Sequence, residues 1–186
     1  MPRVDTERDQ LASLLCERSL RRGDFVLASG ARSDYYIDAR TTTMAGRGQL
    51  LIGRVALAAL DEAGWQPHAV GGLTLGADPV AYAIAHAAAA ADRTLDAFTV
   101  RKQAKQHGSG QRIEGGFQSG MSVVVCEDTI TTGGSALDAV DAVEEAGGTV
   151  IGVLALVDRE EGGRAAIERR GYPVLALYTA RALLQR

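Results

Sequence analysis

The chain predicts an α/β fold with a mainly parallel central sheet flanked by helices. Three observations carry that prediction. Short apolar runs rich in β-branched residues alternate with segments whose apolar residues recur at helical period, and strands that alternate with helices favour a parallel sheet covered on both faces. One such run, Val123 to Val125, passes two acids and enters a Thr- and Gly-rich turn before an apolar-periodic helix. The length of 186 residues suits one domain that buries a core without disulfides or metal clips.

Residues 7–21, with Leu11, Leu14, Leu15 and Leu20 at roughly helical spacing, predict an N-terminal amphipathic helix. FVLASGARSDYYIDAR, residues 25–40, alternates apolar and polar positions around Ser29-Gly30 and predicts two short strands joined by a turn. Residues 46–63 repeat apolar positions at helical period and stop at Gly64, a plausible helix end. A short strand over 69–72 ends in Gly-Gly, and an Ala-rich helix follows over 79–91. A strand at 97–101 leads into a polar loop at 102–116. Beyond the strand, turn and helix of 123–140 come a strand at 149–157, a helix at 163–170 and a strand at 173–178. Ligands of such sheets bind outside the carboxyl ends of the strands, so the residues that follow each strand carry most of the functional weight.

A net charge of −3 and an isoelectric point near 5.6 give no global positive field, which argues against nucleic acid and leaves any polyanion to local basic clusters. Cys16 and Cys126 share no CxxC or Cys/His spacing, which argues against zinc and against a disulfide framework and points to a reducing cytoplasm. The charged N-terminus lacks an apolar signal core, and the small-residue run at 81–91 is too short to span a bilayer; no membrane association is expected. His68 and His86 read as surface or packing residues, Cys126 as core and Trp65 as a packing anchor.

The segment VVVCEDTITTGGS, residues 123–135, concentrates the chemistry. A Thr, Gly and Ser turn between strand and helix gathers backbone N–H groups at a helix N-terminus, where the macrodipole also favours an anion such as a monophosphate. Glycine turns also occur for purely structural reasons, and no Walker A lysine follows Gly134. Glu127 and Asp128 add a second requirement: neighbouring carboxylates suit a vicinal diol or the water shell of Mg²⁺. A sugar phosphate such as ribose 5-phosphate satisfies both halves.

This segment resembles the phosphoribosyl-diphosphate signature of the type I phosphoribosyltransferases. The basic stretch RKQAKQHGSGQRIEGG, residues 101–116, has no apolar stripe and reads as a loop; its RKxxKxHG pattern resembles the catalytic loop of the orotate branch of that family. FVLASGARSDYYIDAR is similar to the substrate-binding hairpin of that branch, VGGLTLGADPVA (70–81) to its pyrophosphate loop, and VDRE (157–160) to a strand end whose arginine meets the base. The resemblance therefore spans residues 25–160. It implies a type I phosphoribosyltransferase fold over 1–186, with 1–45 as a small N-terminal hood over the base site and 46–180 as the core.

The activity implied is transfer of ribose 5-phosphate from 5-phosphoribosyl 1-diphosphate to orotate, a step of pyrimidine biosynthesis that yields orotidine 5′-monophosphate and pyrophosphate with Mg²⁺. By matching position, Lys105, His107 and Asp128 are the expected catalytic residues, and Arg101 and Lys102 join Lys105 and His107 on the diphosphate. Glu127 and Asp128 would hold the ribose hydroxyls, and the backbone of Thr129, Ile130, Thr131, Thr132, Gly133, Gly134 and Ser135 the 5′-phosphate. Gly72, Thr74 and Gly76 would meet pyrophosphate; Tyr36, Thr131 and Arg159 would contact orotate. No direct protein metal site is expected, Mg²⁺ arriving with the substrate, and the family implies a homodimer whose loop 101–116 acts across the interface. Taken alone, Arg159 reads as a surface ion pair with Glu160 or Glu161. Ala28 and Leu75 stand where some members have lysine, and Arg32 or Arg40 are candidates to supply the missing charge. Two alternatives remain: a transferase for another base, and a regulator that senses phosphoribosyl diphosphate. The latter is disfavoured by the retained basic loop and by a length without room for a helix-turn-helix extension, and the same length argues against a bifunctional enzyme with a fused decarboxylase.

Overall fold

The computed structural model describes residues 2–26, 32–103 and 112–186. Helix α1 (Pro2–Arg18) leads into a two-stranded antiparallel sheet of β1 (Leu20–Val26) and β2 (Arg32–Ile37), followed by a single turn, α2 (Arg40–Thr43), and by α3 (Gly46–Glu62). Then come β3 (Ala69–Leu73), α4 (Ala77–Ala89), β4 (Asp96–Val100), β5 (Ile113–Gly115), β6 (Ser122–Ile130), α5 (Gly134–Glu145), β7 (Thr149–Asp158), α6 (Gly163–Arg169), β8 (Val174–Thr179) and α7 (Ala180–Leu184). The main sheet has the order β5-β4-β3-β6-β7-β8 and is parallel except for β5.

Period-two alternation sorts each central strand between two apolar layers. On β6, Val124 and Cys126 join Ile52, Val55, Val80, Ile84 and Leu11 from α3, α4 and α1. Val123 and Val125 join Ala139, Val140 and Val143 of α5 and Ile167 of α6 on the opposite face. Each such side chain removed from water contributes roughly 1.5–3 kcal/mol, which favours this register over a one-residue slip. Cys126 is fully buried, as expected of a core residue, and Trp65 packs against the first layer, close enough to Gly152 that a Cβ there would lie 2.4 Å from its ring.

Several boundaries differ from the sequence expectation. The first helix stops at Arg18 and Leu20 opens β1, because the Ser19 hydroxyl is taken by Thr41 and Thr42 at 3.0 and 2.7 Å and its carbonyl by the Asp38 N–H at 3.0 Å. Helix α4 begins at Ala77, two residues before Pro79, which sits in the first turn where a missing N–H costs nothing. The acids expected to follow a strand lie within it, since β6 continues to Ile130 on β7 after β3 has left the ladder at the Gly71–Val125 pair. Helices α2 and α7 and strand β5 are one to two turns or three residues long, too short for periodicity to reveal. The turn at Ser29-Gly30, and Ala28, lie outside the described residues.

Candidate active site

Strand order locates the crevice. From β3 the chain proceeds through α4 to β4 on one side, then returns to place β6 on the other side of β3, so the winding reverses between β3 and β6. Ligands of open α/β sheets bind at such a reversal. Because the β3–β6 pairing stops at Gly71–Val125 while β6 runs on, the Glu127 and Asp128 side chains face the gap beside the loop after β3.

A cleft of about 400 Å³ opens there, lined by Thr74, Leu75 and Gly76 of the loop after β3, by Glu127, Asp128, Thr129, Thr131 and Ser135 of β6, the turn after it and the start of α5, and by Tyr36, Asp38, Arg40, Lys102 and Arg159. The two carboxylates are largely buried and adjacent. Burial first, then the neighbouring Asp128 charge, pushes the Glu127 carboxyl up to about 8. Burial also raises Asp128, against which works the Thr129 N–H that donates to its Oδ1 at 2.8 Å. Gly76 admits that carboxylate: a Cβ at this position would lie 2.6 Å from Asp128 Oδ1. The preceding Thr74–Leu75 peptide is cis.

The turn after β6 presents donors. Gly133, at φ +83° in the left-handed region, is the N-cap residue of α5, and no side chain among the described residues caps that helix. Thr132, Gly134 and Ser135 are exposed, so the first amides of α5 meet solvent rather than packed protein. From behind, the turn is braced by backbone: Gly163 N–H donates to Thr131 O at 2.9 Å, and a Cβ on Gly163 would stand 2.4 Å from that oxygen. An open helix N-terminus of this kind accepts an anion.

Arg159 is a buried cation, 8% exposed. Its backbone N–H donates to Ile130 O at 3.0 Å, and its guanidinium carbon lies 5.3 Å from the Tyr35 ring centroid. Nη2 pairs with Glu161 Oε1 at 2.7 Å, while the buried Nε has no hydrogen-bond acceptor among the described residues. The ion pair expected at the surface thus exists, with Glu161 as partner, but its arginine is buried and retains donor capacity toward the cleft.

Of the residues singled out from sequence, Tyr36, Thr74, Gly76, Lys102, Glu127, Asp128, Thr129, Thr131, Ser135 and Arg159 line this one cleft. Gly72 is buried one step behind it, where a Cβ would meet Cys126 O at 2.2 Å, and the Ile130 side chain belongs to the core. Arg101 turns to Glu114 at 2.8 Å and lines an adjoining hollow of about 720 Å³ together with Thr74 and Lys102. That hollow is larger, but the acid pair, the open turn and Arg159 converge on the smaller cleft. Lys105 and His107 lie outside the described residues. Sequence reasoning missed Asp38, which grips Arg40 through two bonds of 2.9 and 3.1 Å, and Gly163 behind the turn. Of the two arginines weighed as substitutes for the absent lysines, Arg40 is the one found at the cleft.

Parallel β/α winding, an acid pair at the switch point and an open phosphate-type turn together define the phosphoribosyltransferase class, and residues 46–173 match the family described as phosphoribosyl transferase domain. Over 181 residues the chain is 47% identical to orotate phosphoribosyltransferase of Aquifex aeolicus, covering 96% of this chain and 98% of that protein. The crystal structure of Mycobacterium tuberculosis orotate phosphoribosyltransferase in complex with Fe(III) dicitrate superposes with a TM-score of 0.85 at 46% identity, covering 95% of this chain and 98% of that one. The same enzyme in complex with 5-phospho-alpha-D-ribosyl 1-diphosphate gives 0.78 at 40% identity, covering 96% and 92%. The chain belongs to the orotate phosphoribosyltransferase family and has the type I phosphoribosyltransferase fold.

Proposed function

We propose that the chain transfers ribose 5-phosphate from 5-phosphoribosyl 1-diphosphate to N1 of orotate, releasing pyrophosphate and forming orotidine 5′-monophosphate for pyrimidine biosynthesis. The observation that carries this is the convergence in one cleft of an open helix N-terminus, a largely buried acid pair and a buried arginine whose Nε has no acceptor among the described residues. These match the three chemical parts of the reacting pair: a phosphate, a diol and an anionic planar base.

In this reading the amides from Thr129 to Ser135 hold the 5′-phosphate, and Glu127 and Asp128 accept from the ribose hydroxyls. Diol binding favours the ionised acids, so substrate lowers the raised Glu127 pKa. The C1–O bond to diphosphate breaks as C1 bonds N1 of orotate, with positive charge at C1 in between, and the N1 proton is given up to the departing diphosphate or to water; a carboxylate nearby stabilises the charge at C1 without becoming covalently attached. Gly72, Thr74 and Gly76 bring backbone to the diphosphate, and Arg101, Lys102, Lys105 and His107 neutralise or protonate it as it departs. Arg159, Thr131 and Tyr36 orient orotate, the planar guanidinium of Arg159 meeting an anionic substrate.

Two hard carboxylates beside the turn after β6 suit a substrate-borne Mg²⁺, which Asp128 and Glu127 would meet through its water shell. The ion supplies neutralisation of the leaving group. We further read the chain as a single domain, with 1–45 as the hood over the base, working as a cytoplasmic homodimer in which loop 101–116 reaches the neighbouring site. No helix among the described residues is long and apolar enough to cross a membrane.

The test is loss of orotate absorbance when purified protein meets phosphoribosyl diphosphate and Mg²⁺, beside a Lys105→Ala variant. Turnover that collapses in the variant supports reaction and loop together. Binding of phosphoribosyl diphosphate without turnover of orotate rejects this acceptor and favours another base.

A further inference from the structure

Behind the loop that follows β3 sits an acid facing hydroxyls. Asp78, in the first turn of α4, is 8% exposed. Its Oδ2 accepts from Thr74 Oγ1 at 2.7 Å, and its Oδ1 accepts from Thr99 Oγ1 at 2.8 Å. The Tyr82 hydroxyl lies 2.9 Å from the same Thr99 oxygen, and the Thr74 N–H donates to Val100 O at 2.8 Å. Thr74 is therefore held twice: its amide by β4 directly, its hydroxyl by β4 through a carboxylate bridge.

A buried carboxylate is costly, and here the favourable dipole of the α4 N-terminus and two hydroxyl donors offset that cost. An apolar residue would fill the same space without it. What the carboxylate adds is geometry, since two acceptor oxygens in one plane fix two hydroxyls at once. Thr74 is the point where the chain leaves the sheet, and two residues on Gly76 passes so close to Asp128 that even a methyl group would collide. A small drift of Thr74 thus moves the loop against the acid pair.

We propose that Asp78 is a positioning residue that sets the conformation in which residues 72–76 offer their backbone to the diphosphate, and that it acts through the Thr74 hydroxyl. This rests on the reading of 72–76 as the pyrophosphate loop, and it assigns Asp78 no contact with substrate.

The experiment is calorimetric titration of the full chain with Mg²⁺ and phosphoribosyl diphosphate, and separately with ribose 5-phosphate, for wild type, D78A, D78N, T74V and T74V/D78A. The expected result is a selective loss: D78A binds phosphoribosyl diphosphate at least tenfold more weakly while ribose 5-phosphate stays within twofold of wild type. D78N recovers most of the loss, because one oxygen still accepts from Thr74 and the Thr99 hydroxyl turns to accept from the amide. T74V/D78A binds no more weakly than the worse single variant. The inference is overturned if D78A binds phosphoribosyl diphosphate within twofold of wild type, if both ligands weaken in proportion, or if the two substitutions add. Where D78A does not fold, T74V decides: selective loss supports the inference and unchanged binding overturns it. Orotate is absent from this titration, so a wild type that binds phosphoribosyl diphosphate but ignores orotate rejects the proposed acceptor and leaves this result standing.

Discussion

Gly76→Ala isolates the contact between the pyrophosphate-type loop and the acid pair. Gly76 already has helical dihedrals, φ −62° and ψ −44°, so alanine introduces no backbone strain. Its Cβ would stand 2.6 Å from Asp128 Oδ1 and 2.9 Å from Cγ, and an ordinary contact requires movement of about 0.8 Å. The carboxylate is the mobile partner, and turning it away breaks the 2.8 Å bond from Thr129 N–H. Misplacing a catalytic group by that distance costs on the order of 10- to 100-fold, or about 1.4–2.7 kcal/mol of transition-state stabilisation. The assay is kcat/KM for phosphoribosyl diphosphate by orotate absorbance, paired with a melting curve and with Gly46→Ala, whose Cβ has nothing within 4 Å. The expected outcome is a fall in kcat/KM of that size in G76A, a Tm within about 3 °C of wild type, and no change in G46A. Retention of wild-type kcat/KM to within twofold by G76A would refute the assignment of this wall of the cleft.

Three further outcomes follow from the same geometry. Arg40→Ala raises KM for phosphoribosyl diphosphate roughly threefold or more at low ionic strength and less in high salt, since the group is exposed; an unchanged KM removes Arg40 as the substitute for the absent lysines. Because the folded Glu127 pKa is raised from 4.5 to about 8, the stability linked to its proton is fully present below pH 4.5 and is lost as pH rises through about 8. The Tm of the ligand-free protein should therefore fall more steeply from pH 5 to pH 9 in wild type than in Glu127→Gln, and parallel curves would contradict the burial of that acid. Mixing inactive Lys105→Ala with inactive Asp128→Ala protein should restore about a quarter of wild-type activity if the loop acts across a two-fold interface, because half the dimers are hybrids with one intact site; a mixture as dead as its parts rules out action in trans.

The layered sheet was legible because β-branched runs and helical periods are local signals that packing then reinforces, as the split of Val123 to Cys126 between two faces shows. Boundaries set by distant partners were not. Leu20 read as the last apolar position of a helix because nothing local reveals that Thr41 and Thr42 terminate it at Ser19. That Glu127, Asp128 and the following turn share one cleft was legible, since they occupy consecutive positions between a strand and a helix. Asp78 and Gly163 were not, for each acts on a residue of another segment, Thr99 and Thr131 respectively, whereas Arg40 was named as one of two candidate cations and only its approach to Asp128 was hidden. Arg159 was half legible, with its carboxylate neighbour apparent and its burial against Tyr35 hidden.

The two main-chain ties at the end of β6, Arg159 N–H to Ile130 O and Gly163 N–H to Thr131 O, join the segment after β7 to the turn after β6 without any side chain. If the proposed roles hold, the side chains at 159 to 161 can be rewritten to change the accepted base while the backbone of the turn after β6 stays in place. A one-residue insertion or deletion between Arg159 and Gly163 is a different edit, for it slips both ties at once and dismantles the two halves of the cleft together.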